Sequence, residues 1–508
     1  MRIKMTSEQF GKSKDIVYIS ILLTITLCVG VYLISTTVLI AKDGVTFIEY
    51  ARNFAVSPIN TMLNQYQHPG YPALILAAHK MTKVLYEGMS IWRWIYCAQS
   101  VALIFRLLTV AVLYFVGKKI VGSKLSFLAI LIFILLPKPA EYGSDALSDW
   151  PYLFFLTTGF LMLIHGAIHG KWWLFGFAGL AAGMGYLIRP ECAQLVVFGF
   201  LWLGMQLFWS KRTMGRGKAV FALALLLVSF SVTAGPYMKL KGAIFPKKQI
   251  GQFASSLRAY EQETQIRSST IYAAGFTSAD VVRAFGRMAE KIGDTLMWFF
   301  VPALLIGTYK YFRKQNWREP EKFFIIALIA LNIPLMIWLY CKHGYISGRH
   351  ILPLVVFTIF YAPTGLQVLA SWLQGKFSKE TEQSSVMKSD SRFWFLVLFV
   401  IGISVCIPKL LTPVRTKKQS LRDAAQWLAK HTDEKDIIAV PDMRISFYAQ
   451  RKGLEYKAGQ IPEKAQYIVR IFKRENDETA LSKQLGKVEY RYVDKGNDKA
   501  RVVIYRNP

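Results

Sequence analysis

Long apolar runs separated by short polar intervals fill most of the chain. They fall at roughly 16–41, 98–117, 123–137, 150–168, 172–188, 192–209, 219–237, 293–311, 322–341, 350–373 and 392–409. Each comes close to the ~20 residues a helix needs to cross the hydrocarbon layer. The pattern predicts an all-α polytopic membrane protein with about 11 transmembrane helices. It breaks near residue 410. There SLRDAAQWLAKHTDE sets Leu421, Ala424, Ala425 and Leu428 on one helical stripe. DIIAV, YIVRIF, VEYRYV and ARVVIY then read as strands. Two domains follow, a transmembrane unit over 1–410 and a small C-terminal α/β unit over 411–508. No internal repeat is visible, and in particular no second copy of the first half.

Charge gives the runs a direction. The intervals GKKIVGSK, SKRTMGRGK, KYFRKQNWREPEK and GKFSKETEQSSVMKSDSR are basic and, if the runs alternate, share one side with the basic N-terminus. By the positive-inside rule that side is cytoplasmic. The opposite, exoplasmic side receives the loop 42–97, the segment 137–150, the turn at Arg189, the loop 238–292, the turn KHGYISGR and the C-terminal unit. The first run is too long for a signal-peptide core and lacks a small-residue cleavage site, so an uncleaved anchor is expected.

A composition of 53% hydrophobic and 19% charged residues argues against a soluble enzyme. Much of the net charge of +30 is assigned to the cytoplasmic loops. Membrane lipids and a phosphate-bearing substrate are the expected partners of what remains, and nucleic acid is set aside for want of any binding motif. The five cysteines lie in or beside apolar runs with no CxxC pair. They read as buried fillers, and no thiolate metal site is expected.

Candidate chemistry gathers on the exoplasmic side. In AKDGVTFIEYARNF, helical spacing aligns Asp43, Phe47 and Tyr50 on one stripe of an amphipathic surface helix. Asp43 either caps that helix or faces a substrate. NQYQHPGYPALI holds His68 in broken structure. In PKPAEYGSDALSDWPY, Glu141, Asp145 and Asp149 would stack and repel on a continuous helix. Either the segment is not one helix or a cation lies beside it. Asp149 has an alternative as an N-cap, with Pro151 in the first turn. LIRPECAQ puts Arg189 at a span end, and KHGYISGRHILP offers Lys342, His343, Arg349 and His350 at another mouth. These cations can also snorkel to lipid phosphate. Arg106 lies inside a run and is expected to pair with a neighbouring helix.

An Asp after the first span, a His-Pro element later in that loop, ALSDWP, YLIRPE and SGRHILPL together resemble the C-type membrane glycosyltransferases over residues 16–410. The nearest likeness is to the protein O-mannosyltransferase and aminoarabinose-transferase branch. That resemblance implies transfer of a sugar from a polyprenyl-phosphate carrier to a lipid, glycan or protein acceptor. Transfer would occur at the exoplasmic face of a bacterial inner membrane, with inversion. It makes Asp43 the catalytic carboxylate and puts Arg189 beside the carrier phosphate. Asp149 matches the Asp of the short third-to-fourth-span loop, and Arg349 a basic residue of the late turn. His68 stands where aminoarabinose transferases have Lys before Pro. Asp145 and Lys342 join these as substrate-binding candidates on the same face. Asp43-Gly44 departs from the Asp-Glu frequent in protein O-mannosyltransferases, which weighs against a protein acceptor. No cofactor is certain, and a divalent metal is left open. The alternative is a transporter or flippase of a lipid-linked saccharide. That would place polar groups at the bilayer midplane and interrupt helices in both halves, whereas here they crowd one face.

Overall fold

The computed structural model describes residues 7–82, 91–208, 213–242, 278–313, 319–378, 391–456, 462–472, 487–493 and 501–507. Each predicted apolar run is helical over most of its length, the first only as far as Thr36. The first is α1 (Ser7–Thr36). The predicted surface helix is α2 (Lys42–Val56), and α3 (Pro58–Asn64) and α4 (Gly70–Thr82) complete that loop. Then come α5 (Ile91–Val121), α6 (Ser123–Leu135), the single turn-and-a-half of α7 (Pro137–Tyr142), α8 (Asp149–His169) and α9 (Trp173–Tyr186). A 3-10 turn, Pro190–Ala193, leads into α10 (Gln194–Phe208), followed by α11 (Arg216–Lys241). The bundle closes with α12 (Ser278–Thr295), α13 (Phe300–Arg313), α14 (Pro320–His343), α15 (Gly348–Thr358), α16 (Ala362–Ser378) and α17 (Ser391–Leu410).

Eight of these spans are long and apolar enough to cross a membrane among the described residues, and α12 with α13 makes a ninth if counted as one. Here the structure corrects the sequence reading. The run 293–311 is not one straight helix but two, bent by 107°. Met297 and Trp298 carry the bend in left-handed conformations, at φ 55 and φ 58, which no helical pattern announces. The chain packs α9 along α8 and α11, α5 against α1, α6 and α8, and α16 against α13 and α17. Cys97, Cys192 and Cys406 are buried as expected, but Cys28 is exposed on α1 and Cys341 is intermediate. Residues 243–277 of the predicted exoplasmic loop, and parts of three basic intervals at 209–212, 314–318 and 379–390, lie outside the described residues.

The C-terminal unit is α18 (Gln419–His431), β1 (Ile437–Val440), α19 (Met443–Ala449), β2 (Lys452–Glu455), β3 (Tyr467–Phe472), β4 (Lys487–Val493) and β5 (Arg501–Arg506). The sheet runs β2-β1-β3-β5-β4. β1 pairs in parallel with β2 and β3, while β5 is antiparallel to β3 and β4. The stripe Leu421, Ala424, Ala425 and Leu428 is buried, and α18 packs on β4, β5 and α19. Burying a leucine contributes about 1.5–3 kcal/mol, so the stripe suffices to seat the helix. β2 was not legible, because KGLE carries no alternating apolar face.

Candidate active site

Asp43 sits in the first turn of α2, whose N-cap is Ala41, and it makes no capping bond. The capping alternative therefore does not describe it. Its carboxylate reaches across the bundle to accept a hydrogen bond from Arg349 Nη1. Phe47 and Tyr50, on the same stripe, are buried as the spacing requires. Gly44 explains the departure from Asp-Glu. A Cβ there would lie 2.9 Å from the Ala146 carbonyl oxygen, so α2 can pack on the 143–148 turn only without a side chain.

Asp149 is the hub. It opens α8 after the N-cap residue Ser148, so it does not cap the helix either. Its side chain is only 2% exposed and binds two guanidinium groups. Arg349 Nε donates to Oδ2 at 2.7 Å, and Arg189 Nη1 donates to Oδ1 at 2.5 Å. Arg189 lies in extended backbone between α9 and the Pro190–Ala193 turn. Its Nη2 donates to Glu191 Oε1 at 2.8 Å, and its guanidinium lies 5.4 Å from the Tyr152 ring. Burial alone would lower the Arg189 pKa, but Glu191 and Asp149 outweigh it and hold the cation. Arg349 is fixed by a capping box at the start of α15, in which the Ser347 hydroxyl accepts its N–H and His350 Nδ1 accepts the Ser347 N–H. The result is one row, Asp43–Arg349–Asp149–Arg189–Glu191. Two positive and three negative groups give it a formal charge of −1.

This row borders a cavity of about 390 Å³ whose lining includes Asp43, His68, Arg189, Glu191, Arg349 and His350, together with Tyr66, Gln67 and Tyr345. Gly70 sets the His68 turn. Its N–H donates to the Leu187 carbonyl at 2.7 Å, an approach that any Cβ would block. His68 is 5% exposed, edge-on to Tyr186 and tilted against Tyr237 with centroids 5.0 and 5.1 Å away. Neither ring nitrogen has a hydrogen-bond partner of proper geometry among the described residues. Burial pushes its pKa down to about 4, so the ring is neutral at pH 7. The unfolded chain takes up this proton near pH 6.5, while the folded chain resists it until about 4. The contribution of His68 to stability is therefore full above pH 6.5 and is lost as pH drops toward 4, by roughly 3 kcal/mol in total. His68→Gln should lose less thermal stability between pH 7 and pH 5 than the parent. Equal losses in the two proteins would remove His68 from that account.

Not every candidate joins the row. Asp145 is buried behind it, held by Arg415 of the C-terminal unit with Arg415 Nη2 2.5 Å from Oδ2. Lys342 does not line the cavity, and its ammonium lies 4.8 Å from the Trp338 ring. The feared carboxylate stack is absent because α7 ends at Tyr142 and α8 begins at Asp149. Glu141 instead pairs with Lys138 at 2.8 Å. Arg106 is fully buried, donates to the Ile134 carbonyl at 3.0 Å and lies 5.6 Å from the Trp150 ring, meeting neighbouring helices as expected. Glu191 escaped the sequence reading although it stands two residues from Arg189. Tyr66, Gln67 and Tyr345 gave no signal. Among the described residues no three His, Cys, Asp or Glu side chains converge as a metal set. The two carboxylates that line the cavity, Asp43 and Glu191, are each taken up by a guanidinium, Arg349 and Arg189, so this donor set does not fit a cation.

Residues 97–234 match the family described as dolichyl-phosphate-mannose-protein mannosyltransferase. No curated protein matches the chain. Among solved structures, ArnT from Cupriavidus metallidurans in the apo state is 13% identical, with TM-score 0.54 over 97% of this chain and 98% of that one. The same protein bound to undecaprenyl phosphate gives 13% identity and TM-score 0.56 over 96% and 97%. The oligosaccharyltransferase AglB from Archaeoglobus fulgidus, in complex with an inhibitory peptide and a dolichol-phosphate, is 11% identical with TM-score 0.54 over 96% and 74%. The family match and the solved structures converge on one reading: the chain is a multi-pass membrane protein with the C-type glycosyltransferase fold, resembling the protein O-mannosyltransferase and aminoarabinose-transferase branch.

Proposed function

We propose that the protein transfers a sugar from a polyprenyl-phosphate carrier to a lipid, glycan or protein acceptor at the exoplasmic face of a bacterial inner membrane. The observation that carries this reading is the pair Arg189 and Arg349, anchored on one buried carboxylate beside Asp43 at the rim of a cavity. Leaving phosphate needs fixed cations, and the acceptor hydroxyl needs a base. Asp43, with its side chain 48% exposed, is the carboxylate of the row most open to a substrate. The acceptor oxygen attacks the anomeric carbon as the carbon–oxygen bond to phosphate breaks. The hydroxyl proton passes to Asp43, and the polyprenyl phosphate leaves against the two guanidinium groups. One displacement inverts the anomeric centre. His68, neutral at pH 7, adds no charge to the phosphate site. The structures bound to undecaprenyl phosphate and dolichol-phosphate support a carrier of this class.

Incubating purified protein with radiolabelled polyprenyl-phosphate sugars and membrane extract should yield labelled acceptor. Losing a charge-assisted hydrogen bond costs about 1.5–3 kcal/mol, or roughly 10- to 150-fold in affinity. Arg189→Ala and Arg349→Ala should weaken donor binding by that order. Parent-like donor affinity in both variants would reject the phosphate assignment.

A further inference from the structure

The segment Val38–Ala41, between the first span and α2, has left helical geometry, yet Leu39 and Ile40 are fully buried. A buried connector of this kind must find partners for its backbone groups. They come largely from the C-terminal unit. Val38 N–H donates to the Val414 carbonyl at 3.1 Å, and the Val38 carbonyl accepts from Arg422 at 3.3 Å. Arg415 Nη1 donates to the Leu39 carbonyl at 2.9 Å. Ile40 N–H donates to the Tyr448 hydroxyl at 3.1 Å, and the Ile40 carbonyl accepts from Arg444 at 3.4 Å.

The next backbone group completes the clamp. Ala41 N–H donates to Asp145 Oδ1 at 3.1 Å, and that carboxylate is ion-paired to Arg415. Asp145 is 1% exposed on its side chain, so it cannot meet a substrate without breaking this contact. Arg415 reaches both partners from a left-handed backbone at φ 59, a conformation that a non-glycine residue adopts only where its surroundings hold it there. Ala41 is the N-cap of α2, and Asp43 lies two residues further on.

We infer that the C-terminal unit positions the Asp43 carboxylate, with Arg415 and Asp145 as positioning residues that act through the 38–41 connector. This rests on Asp43 being the base. It gives the unit a part in catalysis without any group that touches the reacting atoms, and it moves Asp145 from substrate binding to support. A misplacement of about 1 Å can cost ~100-fold in rate. Because the guanidinium pair that holds the donor belongs to other elements, the loss should fall on kcat.

The test uses the full chain in three forms. Arg415→Gln should lower kcat by up to ~100-fold with the donor KM little changed, and Arg415→Lys should restore part of the rate. Tyr448→Phe, which removes one acceptor and keeps the ring, should give a smaller loss of the same kind. In an Asp43→Asn background, Arg415→Gln should add almost nothing, because both changes remove the same action. Hydrogen exchange over residues 38–44 should quicken in Arg415→Gln, with the bundle spans unchanged. Parent-like exchange in that segment, or a full multiplicative loss in the double variant, overturns the proposal. Near-parent turnover in Asp43→Asn alone would instead overturn the assignment of the base. The exchange measurement would still decide whether the connector is clamped.

Discussion

Asp43→Asn is expected to lose about 100- to 10,000-fold in turnover, the usual worth of a general base, while the donor still binds. The substitution preserves shape and one hydrogen-bond acceptor toward Arg349. It removes the group that would take the acceptor proton. Asn caps helices about as well as Asp, and Asp43 makes no cap in any case, so helix α2 should survive. Single-turnover transfer alongside equilibrium donor binding separates the two effects. Near-parent turnover would return Asp43 to a structural role and leave the base to be found elsewhere in the cavity wall.

Asp149→Asn should act on stability. One carboxylate holds Arg189 and Arg349 together, and it is almost fully removed from solvent. Neutralising it leaves two guanidinium groups facing each other across a buried amide. Breaking a buried pair from one side typically costs about 3–5 kcal/mol. The control is Glu290→Gln, which breaks the exposed Arg287–Glu290 pair at 2.6 Å and should leave stability almost unchanged, because solvent screens such a pair. Thermal unfolding of detergent-purified protein should show a clear fall for the first and almost none for the second. Matching curves would mean that the row is held by the surrounding helices rather than by Asp149.

The helices, the break near residue 410, the α18 stripe and four of the strands were legible because each follows from a local period. Asp43, Asp149, Arg189 and Arg349 were legible as span-end groups on one side. Their pairing was not. Arg349 and Asp43 are 306 positions apart, and their contact is set by how α2 and α15 lie in the bundle. His68 gave no sign of its burial, since Tyr186 and Tyr237 come from α9 and α11. Asp145 looked like a site residue for a sound reason, its charge and its neighbours. Only its bond to the Ala41 N–H and its ion pair with Arg415 reassign it. The bend at Met297 and Trp298 was invisible because left-handed backbone at non-glycine residues is imposed by packing.

Helices α6 and α9 are only 13 and 14 residues long. At 1.5 Å per residue each rises ~20 Å, about two-thirds of a hydrocarbon layer ~30 Å thick. α6 ends just before α7 and the Asp145 turn, and α9 ends just before Arg189. A bilayer meeting these elements must thin locally or let water and headgroups sink toward their ends. A membrane so deformed would set the charged row below the level of the surrounding headgroups. On the proposed function, the carrier's phosphate would reach the cations while its chain stays in oil, and transfer would respond to lipid thickness as well as to substrate concentration.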